Sequence, residues 1–176
     1  MSTISSGSVT QLPTGVWSVD PESSELGFRA RGMFGLATVR GQFGQFDGTL
    51  TIDDAAARGE LIVQAASLDT HNAKRDTHLR SSDFFDVETH PTLTFELTGV
   101  EPTAAGDLSV SGVLRIRDNA LAIKTPVEAT TDDSGRLTLA TTFDVDRAAA
   151  GVGWSKMGMI KGKAHLSANL TLTKQR

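Results

Sequence analysis

A chain of 176 residues with no cysteine predicts one domain and excludes disulfides, thiolate nucleophiles and Cys-ligated metals. Its formal net charge of -4 lacks the basic footprint that a nucleic-acid partner requires. Long apolar runs and Lys/Arg clusters are equally absent from the sequence, so neither an integral membrane segment nor a polybasic membrane patch is expected.

Residues 1–14 contain no basic stretch followed by an apolar one. They read as a flexible lead-in rather than a signal peptide, which sets the expected location as cytoplasmic. The domain proper is expected over 15–176. Val16 to Val19 makes a first short strand ending at Pro21. Leu26, Phe28 and Ala30 then alternate with Gly27, Arg29 and Arg31, a strand with one apolar and one cationic face. Met33, Phe34 and Leu36 lie between glycines, as a turn tucked on the core or an apolar rim to a cavity. Val39–Phe43 and Phe46–Ile52 read as two further strands around a tight turn at Gly44-Gln45. Leu61, Val63 and Ala65 alternate in the next strand, which Ile62 makes only partly amphipathic.

The stretch from Asp69 to Pro91 breaks this rhythm. It holds three of the four histidines, both signs of charge and the pair Phe84-Phe85. Asn72 is placed to cap a short helix over Ala73 to Arg80, with Asp76 and Arg80 spaced for an i,i+4 ion pair. Asp76, Asp83 and Asp86 beside Arg75 and Arg80 suggest a salt-bridged cluster that pins the insert. Such arginines lower carboxyl pKa values, the opposite of what a general acid needs. His71, His78 and His90 could in principle hold zinc. They form neither H-x-x-x-H nor H-x-H, so hydrogen bonding between helix and strands is the simpler role and no metal is expected.

Beyond the insert, His90 before Pro91 favours extended geometry and strand entry. Period-two alternation runs through Leu93, Phe95 and Leu97, through Leu108 to Ile116, and through Leu121 to Val127. It resumes through Leu137 to Val145 after the turn Asp132-Asp133-Ser134-Gly135, and ends with Leu166, Ala168, Leu170 and Leu172. Between the last two strands lies a glycine-rich apolar loop with Trp154 and Met157. Successive strands with one helical insert predict a mainly β, antiparallel sheet. A sheet this long must close or split to protect its edges. Thr125, Thr141, Gly41, Gly112, Ala65 and Ala168 thin its apolar face, which favours an eight-stranded barrel around a ligand cavity. No P-loop, dinucleotide fingerprint, S-x-x-K or G-x-S-x-G motif is present.

Three segments, W-S-V-D-P from Trp17, V-R-G-Q-F-G-Q-F-D-G-T-L from Val39 and K-R-D-T-H-L-R-S-S-D-F-F-D-V-E-T-H-P-T-L-T-F from Lys74, resemble the YceI-like family of polyisoprenoid-binding proteins. The resemblance runs from about Trp17 to Lys174. It implies an extended antiparallel, lipocalin-like β-barrel that holds a long-chain isoprenoid, sometimes with a diphosphate or quinone head, and a homodimer. This chain departs from the family pattern at Arg31-Gly32, where many members carry a histidine, and at Arg117 to Ile123 in place of an H-G-x-T-x-P-V turn.

The expected ligand-binding residues are Leu26, Phe28, Phe43, Phe46, Leu61, Val63, Phe95, Leu97, Leu114, Ile123, Val127, Phe143 and Leu170, with Trp154 and Met157 at a gate. Lys156, Lys161 and Lys163, or Arg29 and Arg31, could screen an anionic head. The leading expectation is non-enzymatic binding, storage or transport, with no cofactor other than the bound lipid. The alternatives are an enzyme on a hydrophobic substrate, with His78 and Asp76 or Asp83 as acid–base pair, and a stress-linked interaction scaffold.

Overall fold

A computed structural model describes residues 2–3, 12–32, 37–54, 56–104, 107–151 and 162–176. Its strands are β1 (Ser2–Thr3), β2 (Gly15–Val19), β3 (Glu25–Gly32), β4 (Ala37–Phe43), β5 (Phe46–Ile52), β6 (Ala57–Gln64), β7 (Leu68–Asp69), β8 (Thr92–Pro102), β9 (Leu108–Ile116), β10 (Asn119–Thr131), β11 (Leu137–Asp146) and β12 (Lys163–Lys174). A single α-helix among the described residues, α1 (Ala73–Arg80), lies between β7 and β8.

All strand pairings among the described residues are antiparallel. The order β10-β9-β8-β6-β5-β2-β12-β11 returns to β10, closing an eight-stranded barrel. Along these strands, alternate residues turn inward because the side-chain period is two. In β10, for example, Thr125, Val127 and Ala129 are buried while Lys124, Pro126 and Glu128 are exposed.

Gly44-Gln45 does not make the expected tight turn between paired strands. β4 pairs with β3 and β7, whereas β5 pairs with β2 and β6. The chain instead makes two long bent strands. β2 continues into β3 through a 3-10 turn at Pro21–Ser23, and β4 continues into β5 through Gly44-Gln45. Backbone bonds from Gly44 N–H to Ser67 O (3.2 Å) and from Gln64 N–H to Gln45 O (2.9 Å) hold that second bend. The apolar run from Met33 to Leu36 lies outside the described residues.

The core divides along the barrel axis. One end is filled by Leu12, Trp17, Leu50, Ile52, Leu137 and Leu172. The other gathers Leu26, Phe46, Val63, Leu93, Ile116, Val145 and Ala150. Within 1–14, Ser2–Thr3 pairs with the end of β10 and Leu12 is buried in the first cluster. The helix, the β9–β10 turn and the turn after β11 all meet at the second end.

Candidate functional site

The barrel encloses a cavity of about 920 Å³ between the two clusters. Leu26, Phe28, Phe43, Leu61, Val63, Phe95, Leu97, Leu114, Val127, Phe143 and Leu170 line it, as do further inward positions of the same alternation, among them Val110, Leu139 and Leu166. Phe46 and Ile123, expected on the lining, are not among its residues. Phe46 is 7% exposed and packs into the second core cluster, and Ile123 packs against that cluster. An inward position makes a side chain a wall residue only where no neighbour covers it. Trp154, Met157, Lys156 and Lys161 lie outside the described residues.

Two glycines shape the wall. A Cβ on Gly112 would stand 2.7 Å from Phe95 Cε2 and 2.6 Å from the Glu96 carbonyl. One on Gly41 would stand 2.8 Å from both Phe28 Cε1 and Thr70 Cγ2. Each phenyl ring therefore lies across a glycine of the adjacent strand, flat on the wall rather than extended into the lumen.

The insert covers the mouth. Asn72 caps α1 as its residue type predicts, its side-chain oxygen accepting from Arg75 N–H at 3.0 Å. Arg75, His78, Leu79, Phe84 and Phe85 border the cavity, as do the exposed Asn72, Lys74 and Thr77 at its mouth. Phe85 meets Phe43 edge-on at 6.0 Å, and Phe43 meets Phe28 at 5.5 Å, an aromatic series from cover to wall. The polar stretch thus contributes an apolar underside, and the sequence signal for it was the Phe84-Phe85 pair.

The expected fastening of this insert is corrected. Asp76 and Arg80 do not pair, and among the described residues no carboxylate–guanidinium cluster surrounds Arg75. Asp76, 6% exposed, instead accepts from Thr70 N–H (3.0 Å) and from the Thr70 hydroxyl. Arg75 donates to Thr70 Oγ1 and to the Thr70 carbonyl, both at 2.8 Å. Arg80 donates to Ala66 O (3.0 Å) and Leu68 O (2.8 Å). Arg117, in the β9–β10 turn at φ 56°, donates to Phe84 O (3.0 Å) and Gly151 O (3.1 Å). Backbone carbonyls carry most of the attachment, and residue spacing holds no record of which carbonyl lies opposite which guanidinium.

The histidines do not converge. His78 meets Asp83 at 2.7 Å, His90 lies 3.7 Å from Asp118, and His71 lies 3.7 Å from Asp69. Among the described residues no group of three or more His, Asp or Glu is arranged to hold a metal. Of the expected head-group cations, Arg31 reaches the cavity lining, together with Lys74, Arg75 and Arg147. Arg29 and Lys163 are exposed and not part of it. Arg147 is 6% exposed and donates to Arg31 O at 2.8 Å. Burial pulls its pKa below the usual arginine value.

The YceI-like domain profile matches residues 17–172. A UPF0312 protein of Azotobacter vinelandii is 40% identical over 90 residues, and Protein YceI of Escherichia coli O157:H7 is 38% identical over 89. These alignments cover 46% of this chain and 47% of each relative, so the match spans about half the length of the curated relatives. The crystal structure of Burkholderia cenocepacia BcnA superimposes with a TM-score of 0.80 at 22% identity, covering 88% of this chain and 99% of BcnA. A polyisoprenoid binding domain from Saccharophagus degradans, implicated in plant cell wall breakdown, superimposes with a TM-score of 0.73 at 15% identity, covering 90% and 98%.

Proposed function

This chain belongs to the YceI-like domain family, and on that premise we propose that it binds a long-chain isoprenoid lipid inside the barrel without transforming it. The observation that carries this reading is the cavity of about 920 Å³ with a wall of aliphatic and phenyl side chains. Burying several hundred Å² of prenyl chain at roughly 25 cal/mol per Å² gives on the order of 10 kcal/mol gross. Ordering a flexible chain takes back a large part of that. The S. degradans domain, named for polyisoprenoid binding, supports the choice of ligand class.

Head group is the finer question. Lys74, Arg75 and Arg147 on the lining favour a polyprenyl diphosphate over a neutral quinone, whereas Arg31 is exposed and alternates with inward Ala30, so its guanidinium faces away. Glu60 also borders the cavity, but it is exposed and alternates with inward Gly59 and Leu61, so its carboxylate faces away. Titration with a fluorescent polyprenyl probe, competed by polyprenyl diphosphate and by polyprenol, tests both levels. Saturable binding that Val110→Phe and Leu139→Trp weaken is expected, with the diphosphate the stronger competitor and its advantage shrinking as salt rises. No saturable uptake overturns the reading.

A second reading rests on His78 and Asp83, 2.7 Å apart, with His78 on the cavity lining. That is an acid–base pair beside a bound head group. Asp76 does not serve it, being committed to Thr70. Turnover of a bound lipid that disappears in His78→Ala while binding persists would establish an enzyme.

A further inference from the structure

β10 and β11 separate partway along the barrel. Among the described residues their ladder holds four pairs, from Thr131–Leu137 to Glu128–Ala140. Beyond these β10 runs on to Asn119 along β9, and β11 runs on to Asp146 along β12. The cause lies at Pro126. Its carbonyl accepts from the Thr141 hydroxyl at 2.8 Å, so its backbone polar side faces β11. On that side proline has no N–H to continue the ladder. In place of backbone pairs, the hydroxyls of Thr125 and Thr141 meet at 2.9 Å.

The wall at this fork is bordered from outside as well as from within. An outer cleft of about 530 Å³ is lined by Pro126, Glu128, Ala140, Thr141, Thr142 and Ala168, among others. Thr141 and Ala168 belong to inward-facing positions of their strands and line the inner cavity as well. The same side chains are therefore reached from both sides. Thr125 and Thr141 are polar points in a mostly apolar lining. Further toward the mouth, Asn119 Nδ2 donates to Ala150 O at 3.3 Å and closes the rim. Entry under α1, by contrast, would break the bonds of Asp76, Arg80 and Arg117 together.

We infer that the β10–β11 fork is a side port, latched by Thr125 and Thr141, through which an apolar chain enters and leaves the cavity. It rests on the binding reading above and adds the route. The port opens when the Thr125–Thr141 contact and the bond from the Thr141 hydroxyl to Pro126 O are released and the strands part beyond Glu128–Ala140. The apolar cavity-side residues Phe143 and Val127 flank it and keep a passing chain out of water.

The chain has no cysteine of its own, so Thr125→Cys with Thr141→Cys gives a clean test. The full-length double variant is loaded with a fluorescent polyprenyl probe while reduced. Transfer to phosphatidylcholine vesicles is then timed in the oxidised and the reduced protein. Oxidation is expected to slow transfer at least tenfold, with dithiothreitol restoring it. Equal rates in the two states overturn the port. If the disulfide does not form, Pro126→Ala decides: the restored N–H extends the ladder and slows transfer several-fold, whereas an unchanged rate overturns the proposal. Failure of the reduced protein to take up probe at all is a different result, and counts against lipid binding itself.

Discussion

The ring of Phe95 occupies the place where residue 112 would carry a side chain: a Cβ on Gly112 would stand 2.7 Å from Phe95 Cε2. Phe28 and Gly41 repeat the relationship between β3 and β4, where the distance to Phe28 Cε1 is 2.8 Å. An exposed glycine in a strand loses stability, and a ring laid across it from the next strand recovers packing. Here the arrangement also fixes how wide the lumen is.

Gly112→Ala should therefore act on both stability and capacity. The new methyl meets the Glu96 carbonyl as well as the ring, and overpacking of this kind costs about 1–3 kcal/mol. Thermal unfolding is expected to fall by several degrees, and the displaced ring to weaken polyprenyl binding. Gly41→Ala should do the same through Phe28 and Thr70.

Asp76→Ala should loosen the cover. Thr70 is 4% exposed, and its N–H would lose the carboxylate it donates to. A stranded buried donor costs about 1–3 kcal/mol. Amide hydrogen exchange over α1 should rise by one to two orders of magnitude with the barrel strands little changed.

Arg117 separates two effects. Arg117→Ala removes the guanidinium from Phe84 O and Gly151 O while keeping a side chain at φ 56°. Hydrogen bonds from a charged group are worth about 1.5–3 kcal/mol, so destabilisation of that order is expected by urea unfolding. Arg117→Gly loses the same bonds but relieves the left-handed backbone, and should be the more stable of the two by about 1 kcal/mol.

Asp132 governs the β10–β11 turn at low pH. Its carboxylate accepts from Ser134 Oγ (2.6 Å) and from Arg136 N–H (3.0 Å), bonds that hold its pKa near about 2 against an ordinary 3.8. A folded pKa below the unfolded one adds stability above the unfolded value, and that stability is lost as pH falls through the folded one. The Asp132→Asn difference in melting temperature should be largest above pH 4, shrink as pH falls toward 2 and vanish below it.

How far the sequence carried is clear from particular residues. Period-two alternation located β8 and β9 and the inward positions Phe95, Leu97 and Leu114, since alternation is set by the strand itself. Asn72 was legible because an N-cap acts within three residues. Gly44-Gln45 misled because a glycine-containing break looks the same whether the chain reverses or bends; partner choice is long-range. Asp76 and Arg80 misled for a related reason. Helical spacing brought them near each other, but Thr70, Ala66 and Leu68 offered bonds in better geometry. Phe46 had the right face and the wrong depth, because cover by neighbours depends on the whole barrel.

Whether the barrel holds a long isoprenoid is read out by native mass spectrometry of protein purified from its own host. Lipid binding in the barrel gives a complex heavier than the chain by one isoprenoid lipid, released on activation and absent from Leu139→Trp. A wild-type protein that flies only at the mass of the bare chain, and stays so after incubation with polyprenyl diphosphate and isoprenoid quinone, would contradict it.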